Sequence, residues 1–353
     1  MPPFPSSLAA PLVGYLLASA LLAGAVASWL LLRALIPQLR CRLLDQPNAR
    51  SAHRVPTPRG GGLAFVLVAL LASGVSLGVG GWSALAALPL LCTPLALVGL
   101  LDDRHGLPVG LRYGVQLLTA LVTLLVSPLP VSPLALVVVA PLLLLAATAV
   151  INFTNFMDGL DGLVAGCLAV ALAAAALELA AAPDLAPVAL LPLWALVGGL
   201  LGFLLWNWSP ARVFMGDVGS TFLGAVFAGV VLQATSWPEA LGLLLLATPL
   251  LGDACLCVPR RLLAGQRVFQ AHRLHLFQRL HQAGWPHARV ALLYIGATAA
   301  LAAALWIGGW PWVVALAALE LLIGFRLDQR VAVSFDQASA GSISPAISRS
   351  EAS

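Results

Sequence analysis

Four short strings hold most of the polar chemistry in this sequence. Leu101-Asp102-Asp103-Arg104-His105-Gly106 sets two adjacent carboxylates at the end of an apolar run. Neighbours on a helix point about 100° apart, so the pair can serve two partners, one a cation and the other a proton or second charge. In Asn152-Phe153-Thr154-Asn155-Phe156-Met157-Asp158-Gly159-Leu160-Asp161-Gly162, an oxygen-bearing side chain recurs every three residues. Hard cations such as Mg²⁺ select oxygen ligands, and Gly159 and Gly162 allow backbone to approach a ligand closely. The third string, from Asn207 to Ser220, puts Asp217 at the start of an apolar run. There free helix N–H groups attract phosphate and a carboxylate can hold Mg²⁺; Phe214 and Asn207 offer a stacking face and an amide suited to a nucleobase. The fourth, Arg260 to Arg289, gathers His272, His275, His281 and His287 among six arginines. Such a loop can bind pyrophosphate through forked hydrogen bonds. Each string also has a simpler use, capping helices for the first three and setting membrane orientation for the arginines. The histidines lack metal-ligand spacing, and the five cysteines suggest neither disulfides nor a zinc site.

The elements that must carry these strings are set by composition. Hydrophobic residues make up 61% of the 353 and charged residues 9%, against roughly 45–50% and about 25% in soluble proteins. With mean hydropathy at +0.98, a soluble enzyme, a disordered chain and a nucleic-acid reader are all excluded. The expectation is an all-α, polytopic membrane protein, since a crossing needs about 20 apolar residues. Eleven stretches qualify or nearly do: 8–36, 60–80, 83–101, 110–127, 132–151, 162–182, 186–206, 217–234, 239–258, 289–307 and 310–325. The first lacks a basic leader and is read as a retained span. Residues 1–330 form one transmembrane domain, and 331–353, rich in Ser and Ala, are expected to be a disordered tail.

Positive charge orients the spans. All 18 cationic residues are arginine, and every one falls in or within about a turn of 37–59, 102–109, 152–161, 207–216, 259–288 or the segment after 325. The alternate joints carry only Asp184 and Glu239. Arginine marks cytoplasmic loops, so the four strings face the cytosol, the N-terminus faces out and the C-terminus in.

Asp102-Asp103, Asn155-Phe156-Met157-Asp158-Gly159-Leu160-Asp161-Gly162, Phe214-Met215-Gly216-Asp217-Val218-Gly219-Ser220 and His272-Arg273-Leu274-His275, in this order on one face, resemble the polyprenyl-phosphate N-acetylhexosamine-1-phosphate transferase superfamily (glycosyltransferase family 4). The first cytosolic loop, Asp45-Gln46-Pro47-Asn48-Ala49-Arg50-Ser51-Ala52-His53 with Pro56-Thr57-Pro58-Arg59-Gly60-Gly61, is similar to that family too. The resemblance spans about residues 40–290. It implies transfer of a sugar 1-phosphate from a UDP-N-acetylhexosamine to undecaprenyl phosphate, releasing UMP, in the bacterial inner membrane. It also implies a catalytic set of Asp102, Asp103, Asp158 and His275, with Asp102 as the base at the lipid phosphate. Mg²⁺, with Mn²⁺ as a substitute, is expected on Asp217 and Asn155, and substrate contacts from His53, Asn152, Asp161, Asn207, Phe214, His272 and Arg273. Homodimerisation is left open.

Two departures bear on the sugar. The branch using a muramoyl pentapeptide has consecutive histidines in its last cytosolic loop, whereas this chain has His272-Arg273-Leu274-His275. The Asn-Phe-Met-Asp-Gly string and Gln278-Arg279-Leu280 resemble transferases that begin O-antigen-type polysaccharides with N-acetylglucosamine or a 6-deoxy relative such as N-acetylfucosamine. The first loop also carries Arg50 where relatives often have lysine. The rival class, a transporter, would place its charges near the bilayer midplane in repeated halves; here the acids hug one face and no repeat is visible.

Overall fold

The computed structural model describes residues 6–47, 55–266 and 272–339; Arg50 and His53 lie outside the described residues. Among the described residues, six helices are long and apolar enough to cross a membrane, or seven if one bent pair is a single crossing. The protein is an all-α multi-pass membrane protein.

Helices α1 (Ser6–Arg42), α2 (Leu63–Gly80), α3 (Ala84–Leu91) and α4 (Thr93–His105) are followed by α5 (Val109–Leu125), α6 (Pro133–Met157), α7 (Leu163–Leu179) and α8 (Leu191–Asn207). The chain continues through α9 (Asp217–Val231), α10 (Trp237–Leu245), α11 (Thr248–Leu263), α12 (Leu276–Gln282) and α13 (His287–Arg330). Every residue of α9 after Asp217 is buried. It is the axis of the bundle, with α2, α4, α6 and α7 packed around it. Lipid is as apolar as leucine, so helices gain little from merely hiding area from it and associate through close backbone approach and polar contacts. Gly198 and Gly202 of α8 illustrate this, since a Cβ on either would collide with the Leu21 or Ala25 carbonyl oxygen of α1.

One of the expected spans differs from the observed helices. The stretch at 239–258 is broken, with α10 and α11 meeting at 81°. Pro249 has no N–H to give the Leu245 carbonyl, and Thr248 Oγ1 bonds that oxygen instead at 2.6 Å. The stretches 289–307 and 310–325 are two helical segments of α13, separated by a kink at Gly309, where φ is 68° and the backbone is not helical. Helices α5, α7 and α9 are apolar but only 15 to 17 residues long.

On the face that carries the polar strings, a short hairpin pairs β1 (Leu44–Asp45) with β2 (Thr57–Pro58). It continues into the loop before α9, because Phe214 N–H donates to Pro58 O at 2.8 Å and Gly61 N–H to Phe214 O at 2.9 Å. Of the segment after Arg330, residues 331–339 are described. Phe335 is buried under the Arg260 guanidinium, 4.4 Å from the ring centroid. Arg279 also donates to Val333 O at 2.9 Å. Residues 340–353 lie outside the described residues.

Candidate active site

The Asp102-Asp103 pair occupies the last turn of α4. Gly106, at φ 65°, ends that helix in the left-handed region where a Cβ is unfavourable. The chain then turns through Leu107 and Pro108 into α5, whose first turn brings Arg112 back over the pair. Asp102 accepts from Leu107 N–H and from Arg112 Nη1, each at 2.5 Å. Arg112 lies at the same time 3.7 Å from Asp217 Oδ2, so one guanidinium sits between two carboxylates.

Asp103 points the other way. It accepts from the backbone N–H groups of Asp217 at 3.1 Å and Val218 at 3.3 Å, and Arg59 approaches it at 3.4 Å. Two glycines permit this approach: a Cβ on Gly216, which has φ 74°, would strike the Asp103 carboxylate, and one on Gly99 would strike the Asp217 backbone. Asp103 was expected in the catalytic set; its observed bonds brace the start of α9.

Asp217 meets the end of α6. Asn155 donates to Asp217 Oδ1 at 2.9 Å and to Ser220 Oγ at 2.8 Å. Its amide nitrogen therefore orients the carboxylate, and its Oδ1 is the atom left to meet a cation. One turn earlier, Asn152 exchanges amide bonds with Gln116 at 2.7 and 3.3 Å. Asp158, at the end of α6, is pushed up to about 8, first by burial and then by the charges of Asp217, Asp103 and Asp161. This convergence of carboxylates, which burial keeps from sharing water, is the electrostatic environment a divalent cation relieves.

The last loop reaches the same place from α11 and α12. His275 is 1% exposed, with Nδ1 3.4 Å from Asp253 Oδ1. Burial opposes charge on His275, but Asp253 and the Cys257 side chain outweigh it and raise the imidazole to about 9. Asp253 is itself fixed by Leu276 N–H at 2.8 Å, Phe277 N–H at 3.0 Å and Tyr294 Oη at 2.8 Å. His272, stacked on His275 at 5.0 Å, is pushed down to about 3 by burial, with His275 and Arg261 adding to the effect.

These groups share a cavity of about 700 Å³ lined by Asp102, Arg112, Gln116, Asn152, Asn155, Asp217, His272, His275 and Gln278. Its remaining walls include Leu95, Val98, Leu145, Ala149 and Phe153, so it runs from carboxylates to hydrocarbon-like surface. Other expected substrate contacts do not line it. Asn207 is buried and ties two loops, accepting from Gly162 N–H and donating to Val213 O, both at 2.9 Å. Asp161 pairs with His287 at 3.1 Å and accepts from Ala211 N–H at 3.2 Å. Phe214 contributes its backbone to the hairpin extension, and Arg273 accepts from Gln282 through its carbonyl at 2.9 Å. Arg112 and Gln116 were missed, because from sequence an arginine near a span end reads only as a topology signal. Arg112 being eight residues past Arg104 and its neighbouring acids was the available clue.

Comparison with known proteins finds a family and named relatives. The sequence profile described as glycosyl transferase family 4 matches residues 85–235. Decaprenyl-phosphate N-acetylglucosaminephosphotransferase of Mycobacterium leprae is 32% identical over 295 residues, 72% of this chain and 74% of that protein. Undecaprenyl-phosphate alpha-N-acetylglucosaminyl 1-phosphate transferase of Escherichia coli is 30% identical, covering 74% and 75%. Phospho-N-acetylmuramoyl-pentapeptide-transferase of a Synechococcus species is 34% identical, covering 79% and 87%. With these matches, and with Asp102, the Asn155–Asp217 contact and the histidine loop gathered on one cavity, the chain belongs to glycosyl transferase family 4.

Proposed function

We propose that this protein transfers N-acetylglucosamine 1-phosphate, or a 6-deoxy relative such as N-acetylfucosamine 1-phosphate, from a UDP-sugar to undecaprenyl phosphate. The observation that carries this reading is the single cavity that joins Asp102, Arg112 and Asp217 to an apolar wall. A lipid phosphate oxygen forms the new bond to the sugar-bearing phosphorus, and the bond from that phosphorus to the UMP oxygen breaks. Phosphoryl transfer of this kind needs charge neutralisation and alignment more than covalent machinery. Asp102, ionised beside Arg112, orients and deprotonates the acceptor phosphate, and Arg112 offsets its charge. His275, held cationic by Asp253, faces the pyrophosphate of the donor.

Mg²⁺ fits the residues present, since the donors are oxygens and Asp158 lies among carboxylates that disfavour its charge. Asp217 and the Asn155 oxygen would hold it, and it would supply neutralisation of pyrophosphate charge. The reading includes eleven crossings of the bacterial inner membrane, one for each apolar stretch, with the N-terminus outside and the site in the cytosol, an orientation that the arginine distribution supports. The product would begin a lipid-linked surface polysaccharide of O-antigen type. Relatives at similar identity carry both N-acetylglucosaminyl and muramoyl-pentapeptide names, and the separated histidines of His272-Arg273-Leu274-His275 favour the smaller sugar.

The test is purified protein with undecaprenyl phosphate, Mg²⁺ and each of UDP-GlcNAc, its 6-deoxy relatives and UDP-MurNAc-pentapeptide. UMP release and a lipid product of the mass expected for a small N-acetylhexosamine support the reading. Turnover of the pentapeptide donor alone would assign the chain to peptidoglycan synthesis, and no UMP with any donor would reopen the transporter class.

A further inference from the structure

The histidines of the last loop have a neighbour that their sequence spacing conceals. Cys257, on α11, comes to them across the fold, so that one ligand atom each from Cys257, His272 and His275 lies within 4.8 Å of the others. We propose that these three side chains form a binding site for a soft divalent cation of the zinc class, distinct from the oxygen-lined position at Asp217.

The donor chemistry selects the ion. One sulfur and two imidazole nitrogens are ligands for Zn²⁺ and its neighbours, whereas Mg²⁺ demands oxygens. Three protein ligands leave a fourth position open, here toward the cavity that His272 and His275 line, which also supplies an entry path. Around Zn²⁺, with bonds of about 2.0–2.3 Å at tetrahedral angles, ligand atoms stand roughly 3.3–3.6 Å apart. Closing from 4.8 Å thus needs side-chain adjustments of about an ångström.

A second and independent observation is the state of His275. The residue is 1% exposed, and neither ring nitrogen has a hydrogen-bond partner among the described residues. Its Nδ1 faces the Asp253 carboxylate at 3.4 Å, and Asp253 is held by two backbone N–H groups and Tyr294. A carboxylate behind a ligating histidine fixes its tautomer and strengthens the ligand, and here it leaves Nε2 for the metal. His272 would give up the 3.3 Å hydrogen bond from Leu274 N–H. Cys257 is buried and outside any disulfide; on ligation its thiol proton and the Nε2 proton of the cationic His275 both pass to the buffer. The Arg261 guanidinium, near enough to oppose charge on His272, is unfavourable to a cation, and the Cys257 thiolate and Asp253 offset it. On the proposed function, a metal here withdraws His275 from the donor pyrophosphate and inhibits transfer.

Co²⁺ serves as the probe, added to full-length protein in detergent. The expected result is one equivalent bound per chain with a thiolate-to-cobalt charge-transfer band and the intense visible bands of a tetrahedral site, displaced by Zn²⁺. Cys257→Ala and, separately, His272→Asn should each abolish the band or weaken Co²⁺ binding by about tenfold or more, with the melting temperature retained. Cys41→Ala and Cys255→Ala, both at exposed positions, should leave it intact. Absence of the band in the wild type, or a band that survives Cys257→Ala, overturns the site. In the UMP-release assay Zn²⁺ should inhibit the wild type and spare Cys257→Ala, each measured against its own metal-free turnover. Inhibition equal in both overturns the regulatory consequence, and a clear Co²⁺ band in a protein that never releases UMP overturns the proposed function while leaving the site standing.

Discussion

The Asp103 carboxylate caps the helix that begins at Asp217, accepting from the Asp217 and Val218 backbone N–H groups at 3.1 and 3.3 Å. Adjacent in sequence, Asp102 and Asp103 therefore do different work: one faces the cavity and the other holds the opposing wall in register. Negative charge at a helix N-terminus is stabilising, and losing such a cap costs about 1–2 kcal/mol. Asp103→Ala should lower the melting temperature and activity together, whereas Asp102→Asn should lower kcat with melting and donor KM nearly unchanged. Thermal melts beside steady-state kinetics separate the two, and an Asp103→Ala protein with wild-type melting and a selective kcat defect would return Asp103 to the chemistry.

Replacing Asp217 by Asn keeps its size and its bond to Asn155 while removing the charge. If this carboxylate holds Mg²⁺, turnover should fall about a hundredfold or more, the scale on which one preorganised electrostatic contact acts, in a protein that still inserts and melts normally. A Mg²⁺ titration of the variant is the check; near-normal turnover at limiting Mg²⁺ would remove Asp217 from the cation site.

Arg112 meets Asp102 at 2.5 Å and Asp217 at 3.7 Å, both through Nη1. Lysine carries the same charge as a compact point on a flexible stem, which would hold that position between the carboxylates less firmly. Arg112→Lys should accordingly recover only part of the activity lost in Arg112→Gln, with the deficit in kcat. Full recovery by lysine would mean that charge alone matters at this position.

The His275–Asp253 contact predicts a pH dependence of stability. His275 is raised to about 9 in the folded protein, above the ordinary value of about 6.5. Its contribution is thus fully present below about pH 6.5 and is lost as pH rises through 9. The melting-temperature gap between wild type and His275→Gln should be constant at low pH and close between about pH 7 and 9. A gap that widens with alkalinity would show that the histidine is neutral in the fold.

Much of the site was legible because its residues come in compact strings: Asp102, Asn152, Asn155, Asp217 and His275 all reach one cavity. What escaped lies in contacts between distant segments. Arg112 resembled any arginine near a span end, and Cys257 resembled core filler until α11 carried it beside His275. Asn207 and Asp161 looked available for substrate, yet their polar atoms meet loop backbone and His287. In the fold, a hydropathy pattern has no direction, so the apolar run at 239–258 could not reveal that Pro249 turns it through 81°. Likewise, the polar composition after Arg330 could not show that Phe335 is covered by Arg260 and Arg279.

On the proposed reaction, a cavity lined by Leu145 and Val98 as well as by Asp217 and His275 would collect its two substrates from different phases. The acceptor's availability is then an area density set by lateral diffusion, while the donor's is an ordinary molar concentration. Rates measured in micelles should fall when inert detergent is added at fixed total acceptor, although nothing in the water has changed. Flux in the cell would accordingly respond to how quickly the carrier lipid is recycled within the bilayer, even when the nucleotide sugar is saturating.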